Sequence, residues 1–172
     1  PARKALQLLF IALTGFAAPA WTAEHGNAKI CVKDFALLVG SWQGTLTYLD
    51  YTSGKPYTMP ANLEIGRIGK SNAFTFANAY PNEPQANATD TVTIAKNRQF
   101  IDDEMVVRRQ KAQSGAIEIV TQKNGKDGNE QRNAQFRYIY KISRNEFSRV
   151  KEVKFEGENN WIKRNEYAFK KR

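Results

Sequence analysis

The sequence predicts an all-β chain, an antiparallel up-and-down β-barrel of about 8–10 strands, preceded by one short helix. Three observations carry that expectation. Beyond Gly40, apolar and polar residues alternate with period two in one segment after another. Short clusters of Gly, Asn, Asp, Ser and Pro divide the segments and suit chain reversals. A meander this long leaves unpaired edges unless its ends meet, which favours closure, with a two-sheet sandwich as the alternative architecture.

Taken in order, Val32-Lys33-Asp34-Phe35-Ala36-Leu37-Leu38-Val39 places apolar residues at helical spacing and runs into Gly40, so the helix is read here. Residues 42–51 are rich in Thr, Tyr and Leu and end in the turn cluster Thr52-Ser53-Gly54-Lys55-Pro56, which gives a first strand. Residues 61–68 carry Leu63 and Ile65 on one face, residues 74–80 carry Phe74, Phe76 and Tyr80, and Gly69-Lys70-Ser71-Asn72 joins them as a hairpin. After a polar, Pro-containing stretch over 81–90, strands are expected over 91–95, 100–109 and 116–123. The run from Asn124 to Asn129 holds both Asn-Gly and Asp-Gly, which favour the positive φ values of hairpin turns, so a reversal is predicted over 124–129. Phe136, Tyr138, Tyr140 and Ile142 then alternate along one strand, 147–155 makes the next and 161–169 the last.

A length of 172 residues suits one domain, and 41% hydrophobic residues place the chain among folded globular proteins, away from disorder. Arg3 and Lys4 followed by an apolar run over 5–17 and by Ala18-Pro19-Ala20 read as a secretory signal peptide over residues 1–20, cut after Ala20. Trp21-Thr22-Ala23 fits the cleavage pattern less well because Trp21 is bulky. An uncleaved anchor is disfavoured because the run falls short of the roughly 20 residues that span a bilayer, and no transmembrane segment is expected in the mature chain. Residues 21–33 read as a flexible segment and 34–172 as the barrel domain. Cys31 is the only cysteine, so no intrachain disulfide framework can form, and it is read as a small buried hydrophobe. The expected location is periplasmic or secreted. Asn87-Ala88-Thr89 is an acceptor pattern that a eukaryotic secretory route would glycosylate.

The net charge is +9, and the excess of Lys and Arg falls after Lys96. Spread along strands and interleaved with acids, these charges read as solvated outer faces that discourage edge pairing. The competing reading is an anionic surface as partner: lipid, polysaccharide or another protein. Nucleic acid is not favoured, since export argues against it.

Gly40-Ser41-Trp42, after a short helix and at the head of the first strand, resembles the Gly-x-Trp opening of the calycin superfamily, the lipocalins and fatty-acid-binding proteins, here as a bacterial exported member. The resemblance implies a barrel closed at one end by Trp42, with a late Arg, Arg164, stacked on the indole; a guanidinium over indole is favourable. It also implies carriage of a small amphipathic molecule. The lipocalin Thr-Asp-Tyr signature is missing, Leu49-Asp50-Tyr51 being a faint likeness on the wrong strand. The chain departs from haem-binding barrels, because its single histidine, His25, precedes the barrel.

If Trp42 points inward, alternation sends Gly44, Leu46 and Tyr48 inward and Gln43, Thr45 and Thr47 outward. With Leu63, Ile65, Phe74, Phe76, Phe136, Tyr138 and Tyr140 the interior is apolar and aromatic with some hydroxyls, either a packed core or a ligand cavity. Arg67 shares the face of Leu63 and Ile65; it either meets a ligand carboxylate or phosphate or caps the mouth in solvent. Enzyme readings fare worse. A Ser-His-Asp arrangement or a His-containing zinc site would have to use His25, and no catalytic residue, cofactor or metal is assigned. Asp102-Asp103-Glu104 reads as a solvated edge, because three consecutive strand residues cannot converge on one cation. Gly66-Arg67-Ile68-Gly69-Lys70-Ser71 echoes a phosphate loop, but Glu64 stands where a Gly is needed and no helix follows, so it reads as a turn.

Overall fold

A computed structural model describes residues 28–50 and 52–172. The predicted signal segment, His25 and Tyr51 lie outside the described residues. After α1 (Val32–Ala36), the chain forms β1 (Gly40–Leu49), β2 (Pro56–Arg67), β3 (Ala73–Ala79), β4 (Ala88–Thr93), β5 (Phe100–Ile101), β6 (Glu104–Lys111), β7 (Ile117–Asp127), β8 (Arg132–Ile142), β9 (Glu146–Phe155) and β10 (Ile162–Lys171). All ten strands belong to one antiparallel sheet, in the order β4-β3-β2-β1-β10-β9-β8-β7-β6-β5. Because the first strand pairs with the last and every other neighbour is sequential, the sheet curls into an up-and-down barrel. Closure is nearly complete. The two edges, β4 and β5, meet at the single bridge Ile94↔Ile101, flanked by Ala95 N–H on Phe100 O at 3.0 Å and Asp102 N–H on Thr93 O at 2.8 Å. Among the described residues no helix is long and apolar enough to cross a membrane.

The helix is shorter than the periodicity predicts. Asp34 Oδ2 accepts the Cys31 N–H at 2.9 Å, and its two oxygens take Arg109 Nε and Nη2 at 2.7 and 2.8 Å, tying α1 to β6. That bonding holds Arg109 above the ordinary guanidinium value against the opposing effect of burial. After Ala36 the chain turns so that the Leu38 carbonyl accepts the Trp42 indole N–H at 2.7 Å. Gly40, at φ 126, makes the change of direction into β1, a conformation a side chain rarely adopts. The segment predicted to be flexible is packed where described: Ile30 is fully buried and its N–H donates to Arg98 O at 3.0 Å.

Three strand boundaries differ from expectation for identifiable reasons. β2 begins at Pro56 although Pro56 and Pro60 argue against a central strand. Because β3 pairs only with Asn62–Arg67, the first part of β2 is an edge on that side, where proline is tolerated. The strand expected over 100–109 breaks at Asp102-Asp103, Asp102 having φ 51, into β5 and β6. Asn124-Gly125 is not a reversal, because the β7–β8 ladder continues to Asp127↔Arg132 and the chain turns only at Asp127-Gly128. In addition, the last strand starts one residue late, leaving Trp161 outside it beneath the Arg137 guanidinium at 4.1 Å.

The register arranges the inward side chains in rows, which fixes what lies at each depth. Ala61, Gly44, Phe169, Phe147, Ile142 and Ile117 form an apolar row near α1. Met59, Leu46, Tyr167, Arg149, Tyr140 and Ile119 form the next. Tyr57, Tyr48, Asn165, Lys151, Tyr138 and Thr121 form a third. Polarity therefore rises with distance from the helix-capped end. The α1 end is filled by Phe35, whose ring lies 5.8 Å from Phe74, 6.2 Å from Phe76 and 6.0 Å from Tyr140.

Gly44 is set by close approach at the β1–β10 seam. A Cβ there would stand 1.9 Å from the Ala168 carbonyl oxygen, which is backbone and cannot swing aside. Gly44→Ala is expected to push the closing strands apart and cost about 1–3 kcal/mol, read as a lower midpoint in urea unfolding.

Candidate functional site in the barrel interior

A cavity of ≈ 370 Å³ lies within the barrel. Its apolar wall comes from α1 (Phe35), β2 (Leu63), β3 (Phe76), β4 (Val92), β8 (Tyr140), β9 (Phe147) and β10 (Tyr167 and Phe169). Its polar groups are Asn78, Asp90, Thr91, Asp102, Glu104 and Arg149. Residues of the edge strand β4 and Asp102, in the turn after the edge strand β5, line it, so the cavity adjoins the seam where β4 and β5 share only one bridge. A larger groove of ≈ 1060 Å³, which shares Phe147 and Phe169 with the cavity, runs across the strands from β1 to β6, past Gln43, Thr45, Lys141, Ser148 and Ala168.

Glu104 is the hub of the polar side. Its Oε2 accepts the Thr121 hydroxyl at 2.6 Å and the Tyr140 hydroxyl at 2.8 Å, and its Oε1 accepts Arg149 Nη2 at 2.9 Å. The Arg149 guanidinium also lies over the Tyr138 ring at 4.3 Å and the Tyr140 ring at 5.3 Å. Burial drives the Tyr140 hydroxyl far above the usual phenol range, and Arg149 opposes that only in part. Burial would lower Arg149, but Tyr140 and Glu104 outweigh it, so it is held above its ordinary value. The one carboxylate is thus the shared acceptor for donors from three neighbouring strands.

The wall is braced by Tyr80 and Tyr167, whose hydroxyls stand 2.8 Å apart, linking the end of β3 to β10. Burial first, and then the hydrogen bond with Tyr167, push Tyr80 above the phenol range. In the third row, burial lowers Lys151 below the ordinary lysine value; Asp127 opposes and Arg149, Lys123 and Arg164 add to the depression. Asn165 Oδ1, its cross-strand neighbour, is the one buried side-chain polar atom without a hydrogen bond among the described residues.

Of the residues read from sequence as ligand-binding, Leu63, Phe76 and Tyr140 line the cavity. Ile65 and Phe74 are buried in the core, and Leu46 packs against it, half-buried. Tyr138 is buried with the Arg149 and Lys123 cations near its ring, and Tyr48 meets Tyr57 in a tilted pair at 5.5 Å in the third row. Arg67 is a correction. It is exposed, and its Nε and Nη2 donate to Ser71 O and Lys70 O at 2.9 and 3.3 Å, because β2 ends there and the side chain folds back onto its own hairpin. Arg164 is a second correction. Trp42 pairs in register with Lys171, whose Nζ lies 5.1 Å from the indole centroid, whereas Arg164 sits at the other end of β10, roughly 23 Å of extended strand away. There a bulge between Lys163 and Asn165 directs Arg164 to Asp127, Nε to Oδ2 at 2.8 Å. Asn87, of the acceptor pattern, uses its Oδ1 to accept the Tyr80 N–H at 2.7 Å.

Sequence reasoning missed Phe35, Asp90, Asp102, Glu104, Phe147, Arg149, Tyr167 and Phe169. The signal for Arg149 was present: it shares strand parity with Phe147, Val153 and Phe155, all three buried.

No family model matches the chain, and no curated protein matches it. Among solved structures it is similar to the crystal structure of Rv2717c from M. tuberculosis, at 14% identity and a TM-score of 0.48, over 82% of this chain and 96% of that one.

Proposed function

We propose that this chain is an exported, calycin-like barrel that binds a small, largely apolar molecule carrying a polar group. The observation that carries the reading is the interior cavity of ≈ 370 Å³ beside the seam, at the low end of the roughly 300–1,000 Å³ typical of ligand pockets. An apolar row at its base and an Arg149–Glu104–Tyr140 row beyond it match an occupant with an apolar body and a polar end. The resemblance of Gly40-Ser41-Trp42 to the calycin opening supports the same reading. Mature protein recovered from its own host is expected to begin at Trp21, in the periplasm or outside the cell, which N-terminal sequencing of fractionated cells tests.

Binding is tested with 1-aminoanthracene, a compact neutral probe whose fluorescence rises in apolar surroundings. The probe is expected to bind the wild type, to be lost in Val92→Trp, which fills the cavity from the sheet edge, and to bind Arg67→Ala unchanged. Equal binding to Val92→Trp with an intact thermal melt would place the probe elsewhere and overturn the reading. So would absence of probe binding together with retention of the protein on anionic vesicles, an outcome that moves the activity to the outer surface.

A further inference from the structure

We infer that the interior cavity selects an organic cation, a compact apolar body bearing a primary or quaternary ammonium group. This rests on the cavity reading above and adds the charge of the occupant.

The first argument is charge. The ionisable acids and bases on the cavity wall are Asp90, Asp102, Glu104 and Arg149. Glu104 and Arg149 neutralise one another at 2.9 Å. Asp90 and Asp102 are left, and among the described residues neither forms an ion pair with a Lys or Arg. They stand on opposite sides of the seam, Asp90 on β4 across from Phe76 and Asp102 in the β5–β6 turn, where its Oδ1 accepts the Thr93 N–H at 2.8 Å. Both are exposed, so water screens part of their field, but unpaired negative charge at the rim of the cavity still favours a cation over an anion.

Arg149 does not supply the missing receptor for an anion. Its charge is already matched by Glu104, to which its Nη2 is bonded, and its guanidinium lies over the Tyr138 and Tyr140 rings.

The second argument is the wall itself. Six aromatic rings border the cavity: Phe35, Phe76, Tyr140, Phe147, Tyr167 and Phe169. Elsewhere in this barrel aromatic faces are covered by the protein's own cations, as Phe155 is by Arg132 at 4.2 Å, Trp161 by Arg137 at 4.1 Å, Phe136 by Lys151 at 4.6 Å and Trp42 by Lys171 at 5.1 Å. Among the described residues, five of the six cavity rings have none, Tyr140 beneath Arg149 being the exception. Aromatic rings around a cavity with two carboxylates at its seam are surroundings that suit an ammonium group.

Isothermal titration with three probes of one body separates the possibilities: 2-phenylethylamine, 2-phenylethanol and 3-phenylpropionate. Wild type is expected to bind the amine at least tenfold more tightly than the alcohol and the carboxylate least of all. In Asp90→Asn/Asp102→Asn the amine is expected to fall to the affinity of the alcohol. Asn keeps the acceptor for Thr93 and tolerates the positive φ at residue 102, and Asp90→Asn alone, at an exposed strand position, carries the test if the double variant does not fold. A carboxylate that binds as tightly as the amine, or an amine advantage that survives the substitutions, overturns the inference. Binding of all three without preference also overturns it and leaves the cavity reading standing, whereas binding of none overturns both.

Discussion

Glu104→Ala is expected to cost about 3–5 kcal/mol of folding stability, because removing the buried carboxylate leaves the half-buried Arg149 guanidinium and two enclosed hydroxyls without their acceptor. Glu104 is 6% exposed, and its loss would strand the Arg149 guanidinium together with the Thr121 and Tyr140 hydroxyls inside the barrel. The three donors come from β7, β8 and β9, so the carboxylate of β6 joins four consecutive strands of the wall. Urea unfolding checks this through the midpoint, with the slope unchanged if the native surface is preserved. The companion variant Glu104→Leu/Arg149→Met, which removes both charges and keeps the volume, is expected to recover much of the loss. A midpoint for Glu104→Ala within about 0.5 kcal/mol of wild type, the range of ordinary surface substitutions, would show that the pair is solvated and not a structural hub.

Strand parity made much of the wall legible, and it also explains what was missed. Period two tells which face a residue occupies but not its depth or whether the strand is still paired there. Leu63, Phe76 and Tyr140 were read inward and line the cavity, yet Arg67 has the same parity as Leu63 and lies where β2 ends, so its guanidinium turns back to the hairpin carbonyls. Glu104 was hidden by the opposite error. Read as one acidic edge within a strand, residues 102–104 give no reason to bury one of them. The turn at Asp102-Asp103 resets the alternation, leaving Asp103 73% exposed at its side chain and Glu104 inside. Arg149 and Lys151 alternate correctly with Phe147, Val153 and Phe155. What the sequence could not show is the row that sets Arg149 beside Tyr140 and Tyr167, since cross-strand register depends on bulges such as those at Val106/Arg108 and Lys163/Asn165. The reversal predicted over 124–129 comes only at its second dipeptide for a related reason: two turn dipeptides lie three residues apart, and the ladder extends past the first.

Trp42→Ala is expected to match or exceed the Glu104 effect, at about 3–5 kcal/mol, since a fully enclosed indole leaves both a void and a lost bond. The ring is 1% exposed, meets Phe147 edge-on at 6.1 Å, and donates Nε1–H to Leu38 O at 2.7 Å. Lys171 covers the ring and donates its Nζ to Val39 O at 2.9 Å and Leu37 O at 3.3 Å, so the helix exit, the first strand and the last strand share one cluster. Trp42→Phe separates the contributions. It keeps most of the apolar contact and leaves the buried Leu38 carbonyl without its donor, a loss of about 1–3 kcal/mol. Which cation faces the indole is then decided by double-mutant cycles against Trp42→Phe. Lys171→Met is expected to show a coupling of about 0.5–1 kcal/mol, whereas Arg164→Met, at the far end of β10 beside Asp127, is expected to be additive within about 0.3–0.5 kcal/mol. Coupling to Arg164 in place of Lys171 would mean that the closing strand is shifted along β1. In that case the rows that put Arg149 beside Tyr140 and Tyr167 beside Leu46 would have to be redrawn together, because one register sets them all.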